Sequence, residues 1–220
     1  MNQTGRKAGY LLGTLALGFL LARPAGAAPA KGKKTGAAGQ TVKLDLSSSV
    51  IRWTGRKVTG EHNGTIRLKS GKATLAKGAL AGGQFEIDMM SIANEDIQNP
   101  SSNAKLVNHL KSSDFFDVEN HPTASFKIKK VTALPSARPD GSTHEISGDL
   151  SIKGIAHPIA FPAAVEIAKG KVRASGSVSI DRTKWDVRYG SGKFFDNLGD
   201  KAIDDRVEIE INLAGTVQGK

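Results

Sequence analysis

Cysteine is absent from the 220 residues. No disulfide, thiolate metal site or lipid-modified cysteine can therefore form. Stability must come from the core alone. Aromatic side chains make up only 5% of the chain, so the places where they gather are informative. The five histidines, His62, His109, His121, His144 and His157, form no tight pair and no metal-ligand spacing. Chelators are expected to change nothing, and no feature asks for a cofactor. There is no Gly-x-Ser-x-Gly elbow, and no motif links a serine to a histidine and a carboxylate as a nucleophilic triad. Gly190-Ser191-Gly192-Lys193 has the outline of a phosphate loop. It lacks the glycine that should stand five positions before Gly192, and Phe194 occupies the place of the metal-binding hydroxyl. An enzyme mechanism finds little to build on.

Long apolar runs are also scarce. Tyr10–Leu21 is uncharged and apolar, follows Arg6 and Lys7, and precedes the small residues Ala25-Gly26-Ala27. It is shorter than the roughly 20 residues a membrane span needs and has the anatomy of a secretory signal peptide. Residues 1–27 are read as that leader, with cleavage after Ala27 or Ala30, and residues 28–40 as a flexible Ala/Gly/Lys tether. The folded domain is placed at 41–220, a usual size for one domain. The formal charge of +10 follows the same division. Arg6, Lys7 and Arg23 lie in the leader, and Lys31, Lys33 and Lys34 in the tether. The remaining lysines alternate along strands, as in Phe126-Lys127-Ile128-Lys129, and no basic helix or base-stacking motif points to nucleic acid. Transient contact with anionic membrane surfaces is the interaction this charge allows.

What the chain has in quantity is period-two alternation. Val42, Leu44 and Leu46 alternate with Lys43 and Asp45; Phe85, Ile87 and Met89 alternate with Glu86 and Asp88. Ile146, Leu150 and Ile152 share a face with Gly148, and Val207, Ile209, Ile211 and Leu213 alternate with polar residues. Such runs make half-buried antiparallel strands. Asn63-Gly64, Gly82-Gly83, Asp140-Gly141 and Lys169-Gly170 read as reversals. Asn103–Lys111 is the one helical stretch, with Leu106 and Leu110 on one face and Ser101 or Ser102 as cap. From Asp181 to Asp205 no period exists, yet Trp185, Tyr189, Phe194 and Phe195 cluster there. This loop is expected to cap something. Its acidic residues Asp196, Asp200, Asp204 and Asp205 are read as ion-pairing with Lys193, Lys201 and Arg206, and Asp181-Arg182 as its anchor.

The pattern fits a barrel or a sandwich. Along Val172, Ala174, Gly176, Val178 and Ile180 two inward positions are minimal, which leaves a lumen unless a bulky neighbour such as Trp53 fills it. Gly176→Phe is accordingly expected to enter that space without harming the fold. The candidate lining is Trp53, Phe85, Ile87, Met89, Phe126, Ile128, Ile152, Phe161, Gly176, Val178 and Ile180, with Trp185 from the loop. Phe115, Phe116, Phe194 and Phe195 are adjacent pairs that can each turn one ring inward. His62 is the polar candidate for holding a head group at the mouth. Pockets for apolar ligands are lined in this way.

The segments SVIRWTGRKVTGEHNG from Ser49, KLVNHLKSSDFFDVENHPTASFKI, GDLSIKGIAHPIAFP and DRTKWDVRYGSGKFFDNLGDKAIDD together resemble the YceI-like family of bacterial periplasmic polyisoprenoid-binding proteins. The resemblance runs in order through nearly everything after residue 40. It implies an all-β, lipocalin-like antiparallel β-barrel with a short helical excursion, exported to the periplasm. It also implies a lumen that holds an isoprenoid lipid or the tail of a quinone, without covalent chemistry. Two other readings of the residues stay open: a stress-related interaction module with a filled core, and an enzyme on an isoprenoid or quinone using His62 or Asp181. A homodimer is also left open.

Overall fold

The computed structural model describes residues 39–218. The alternating runs become nine strands: β1 (Gln40–Leu44), β2 (Val50–Lys57), β3 (Gly60–Ala76), β4 (Ala79–Asn94), β5 (Thr123–Ala133), β6 (His144–Ile152), β7 (Ile155–Ala168), β8 (Lys171–Asp181) and β9 (Ile203–Val217). From β2 on, each strand pairs antiparallel with the next, and β9 returns to β2, so the sheet closes. Strands β1 and β2 share one place in the ring. The first pairs with Lys72–Leu75 and Gly215–Val217, the second with Gly60–Ile66 and Ile203–Asn212. The result is an eight-position, closed, up-and-down barrel with no free edge along its wall.

The leader and most of the expected tether lie outside the described residues. The tether's last residue does not: Gln40 opens β1 opposite Leu75. Leu46 leaves the alternation and is exposed, because the chain turns at Asp45. There the Asp45 carboxylate accepts from the Ser47 amide and hydroxyl (3.0 and 2.6 Å) and from the Ser48 amide and hydroxyl (3.2 and 2.7 Å). The Ser49 hydroxyl, donating to the Asp45 carbonyl and accepting from the Ala214 amide, ties this turn to β9.

Two expected reversals are strand interior. Asn63 and Gly64 lie within β3, and Gly82 and Gly83 within β4. Gly64 is required by contact rather than by a turn: a Cβ there would stand 1.9 Å from the Ala93 carbonyl oxygen. The other two, Asp140-Gly141 and Lys169-Gly170, do turn, and the tight two-residue tips are Val58-Thr59 and three Lys-Gly pairs. Lys77-Gly78, Lys153-Gly154 and Lys169-Gly170 each have positive φ at both residues (53° and 80°, 51° and 74°, 48° and 75°). That backbone matches strand twist in two-residue hairpins, and glycine makes its second half cheap.

One end of the barrel carries the β2–β3, β4–β5, β6–β7 and β8–β9 connections, and the two longest excursions, β4–β5 and β8–β9, sit there. Helix α1 (Pro100–Lys111) starts earlier than its apolar spacing suggests. Asn99, rather than Ser101 or Ser102, caps it by accepting from the Ser102 amide at 3.0 Å, and Pro100 sits in the first turn, where a missing N–H costs nothing. Leu110 is buried against the core.

Candidate functional site: an apolar lumen with an aromatic lid

Inside the wall lies a cavity of about 280 Å³, lined almost wholly by apolar atoms from every strand, from α1 and from the β8–β9 loop. Trp53, His62, Phe85, Ile87, Met89, Phe115, Phe116, Phe126, Ile128, Ile152, Phe161, Gly176, Val178, Ile180 and Trp185 all face it. Alternation delivers the strand residues, as inward positions of a closed sheet have nowhere else to point. Phe126 and Phe161 meet across β5–β7 with ring centroids 5.8 Å apart. The Trp53 indole donates to the Ala93 carbonyl at 3.2 Å, a contact made over the missing side chain of Gly64.

Phe194 and Phe195 do not line the cavity and are 45% and 48% exposed. Their amides both donate to the Ser191 carbonyl at 3.1 Å in a tight turn around the fully buried Ser191, and the rings are left outside. The Arg188 guanidinium stacks 4.7 Å from the Phe194 ring. The expectation that one ring of that pair enters the lumen is therefore corrected. Gly176 lines the cavity but does not enlarge it. A Cβ there would meet the Pro162 carbonyl oxygen at 2.9 Å and the Phe161 ring at 3.2 Å, so glycine serves close approach of β7.

The lid is held by polar contacts beneath its aromatic surface. Trp185, 1% exposed, donates its indole N–H to the Leu150 carbonyl at 3.0 Å and plugs the end of the barrel. Arg182, 4% exposed, donates to the carbonyls of Asp204 (3.0 Å), Val187 (2.8 Å) and Ile203 (3.1 Å) and so ties the two ends of the loop together. Lys193 bridges Asp181 (2.7 Å) and Asp205 (3.1 Å). Burial alone would raise the Asp181 pKa, but hydrogen bonds from Lys193 and from the Thr183 hydroxyl and amide outweigh it and bring the carboxyl down to about 2. His157 Nε2 donates to the Lys184 carbonyl (2.9 Å) and its ring meets Trp185 edge-on; His109 meets Phe115 and Tyr189 in the same way.

Sequence reasoning missed much of the β3 lining. Ile66 and Leu68 are inward and buried, but reading a turn at Asn63-Gly64 hid their strand. It also missed Asp96, whose Oδ2 lies 2.8 Å from His62 Nδ1. No local spacing announces a partner 34 residues away. Among the described residues no group of three or more His, Asp or Glu side chains could hold a metal ion.

The model of the YceI-like domain matches residues 42–214. The chain belongs to the YceI-like family. A UPF0312 protein of Azotobacter vinelandii (strain DJ / ATCC BAA-1303) is 38% identical over 71 residues, 32% of this chain and 34% of the relative. One of Pseudomonas aeruginosa (strain LESB58) is 32% identical over 63 residues, 29% of this chain and 30% of the relative. The match thus spans about a third of the length of these curated relatives. Among solved structures, Burkholderia cenocepacia BcnA shares the fold with a TM-score of 0.62 at 20% identity, covering 79% of this chain and 99% of that one. A polyisoprenoid-binding domain from Saccharophagus degradans, implicated in plant cell wall breakdown, aligns with a TM-score of 0.55 at 12% identity, covering 80% and 98%.

Proposed function

We propose that this YceI-like protein sequesters one long isoprenoid chain, a polyprenyl lipid or the tail of a quinone, in its lumen. The observation that carries the reading is the apolar cavity of about 280 Å³. An apolar cavity of 150 Å³ already stays dry and takes up apolar guests. At about 24 cal/mol per Å³, an empty one of 280 Å³ would cost on the order of 7 kcal/mol, comparable with the whole net stability of a domain. An apolar occupant recovers that deficit. Family membership and the polyisoprenoid-binding relative of the same fold support an isoprenoid as the occupant. The scarcity of polar groups on the wall favours binding over catalysis.

The leader anatomy of residues 1–27 supports export to the periplasm with cleavage after Ala27 or Ala30, and N-terminal sequencing of exported protein that returned Met1 would contradict the cleavage. Loading from a membrane is the natural route for such a ligand. At the lid end Val58, Tyr189, Phe194 and Phe195 are exposed beside Lys57 and Arg188, a surface suited to brief contact with anionic lipid. The carrier reading is tested by thermal unfolding of delipidated protein. Saturating geranylgeraniol should raise the midpoint by mass action, whereas a short alcohol at the same concentration should not. Equal response to both, or to neither, would overturn it.

A further inference from the structure

The lumen has a polar corner. His62 lies on the inward face of β3, in phase with the buried Ile66 and Leu68. Its register partner on β2 is Gly55, where a Cβ would meet nothing within 4 Å, so there is open space beside the imidazole. Nδ1 stands 2.8 Å from Asp96 Oδ2. The other carboxylate oxygen is fixed by the Asn63 amide at 2.9 Å and by the side-chain amide of Asn94. The buried Asn94 is itself held, its oxygen accepting from the Ile97 amide (3.0 Å) and from Asn103 (3.2 Å) at the start of α1. Burial alone would raise the Asp96 pKa, but the His62, Asn63 and Asn94 hydrogen bonds bring it below the usual carboxylate range. Arg56 is engaged with Glu61 and Glu208 and leaves this carboxylate to His62.

An ionised carboxylate can only accept, so His62 Nδ1 must carry the hydrogen. A neutral imidazole protonated at Nδ1 has a bare lone pair at Nε2, and among the described residues nothing donates to it. We propose that His62 Nε2 accepts a hydrogen bond from a hydroxyl on the ligand's polar end, and that Asp96 is the positioning residue that fixes this tautomer. The corner then selects prenols and hydroquinones over ethers and quinone carbonyls, which have no hydrogen to give. The inference rests on the carrier reading above.

The test is equilibrium binding of geranylgeraniol and of its methyl ether to the delipidated full chain at pH 8.5. The wild type should bind the alcohol about tenfold more tightly, the scale of one hydrogen bond's net contribution. His62→Leu should bring the two ligands within about twofold of each other without loss of ether affinity. Asp96→Asn should abolish the preference and bring the two ligands within about twofold of each other, because a hydroxyl accepts from a ring N–H as an ether does. Asn63 and Asn94 hold the amide oxygen where Oδ1 stood, so its NH₂ faces Nδ1 and the ring hydrogen moves to Nε2. A purely structural role for Asp96 would lower both affinities together and would overturn the positioning claim. Equal wild-type affinities for alcohol and ether, both tight, would overturn the head-group site while the lumen stood. Failure of both to bind would overturn the carrier reading itself.

Discussion

A Cβ at Gly176 would meet backbone at 2.9 Å, whereas one at Gly55 would meet nothing within 4 Å, although both residues line the same lumen. Sequence cannot separate these cases, because glycine is written identically for close approach, for positive φ and for empty space. The alternation that put Phe85, Val178 and Ile180 on the inner face was readable; the reason for Gly64 and Gly176 was not. Gly176→Phe is therefore expected to destabilise by about 1–3 kcal/mol or more as overpacking, seen as a lower denaturant midpoint. Gly55→Phe is expected to leave the midpoint near wild type and to displace ligand, measured by lipid extraction. Equal midpoints for the two variants would show that the lumen has room on both sides. Trp185 is the largest fully buried side chain of the plug. Trp185→Ala should cost about 3–5 kcal/mol, and a loss below 1 kcal/mol would mean that the lid is not packed as described.

At the scale of elements, strands were legible and their ends were not. Asn63-Gly64 carries a strong hairpin signature, yet β3 runs through it because its register with β2 and β4 continues. The Lys-Gly pairs that do turn are less conspicuous as sequence, though three of them share the same backbone. The helix began earlier than its apolar spacing because capping and Pro100, not burial, set its start. Two carboxylates hold elements together and give the fold an acid limit. The Ser47 and Ser48 hydrogen bonds lower Asp45 from 3.8 to about 2, and Asp181 reaches about 2 against its own burial. Both have lower pKa values folded than unfolded, so their stabilisation is complete above about pH 4 and is lost as pH falls through about 2. Denaturant midpoints at pH 5 and pH 2.5 should fall for the wild type. In an Asp45→Asn, Asp181→Asn double variant the midpoint should start lower at pH 5 and fall less. An unchanged pH slope in the double variant would place the acid sensitivity elsewhere.

At the scale of the whole molecule, closure is the property that makes a lumen, and it is the least local of all. No pattern within one strand says that β9 will return to β2, or that β1 and β2 will share a single place in the ring; here family resemblance supplied what periodicity could not. Closure also explains why the sequence offered His62 but not its partner Asp96, since the two meet only once β3, β4 and α1 are assembled. The exposed lid surface belongs to this scale as well. Replacing Phe194 and Phe195 with serine should weaken co-sedimentation with anionic vesicles several-fold while leaving the unfolding midpoint unchanged, and unchanged sedimentation would remove the membrane-contact proposal. The central claim is that the cavity holds a lipid, and native mass spectrometry of protein purified after export from a bacterial host addresses it most directly. The account predicts a mass in excess of the mature chain that disappears on denaturation and releases an extractable isoprenoid. A ligand-free mass, under conditions where the delipidated protein also fails to take up an added prenol, would contradict it.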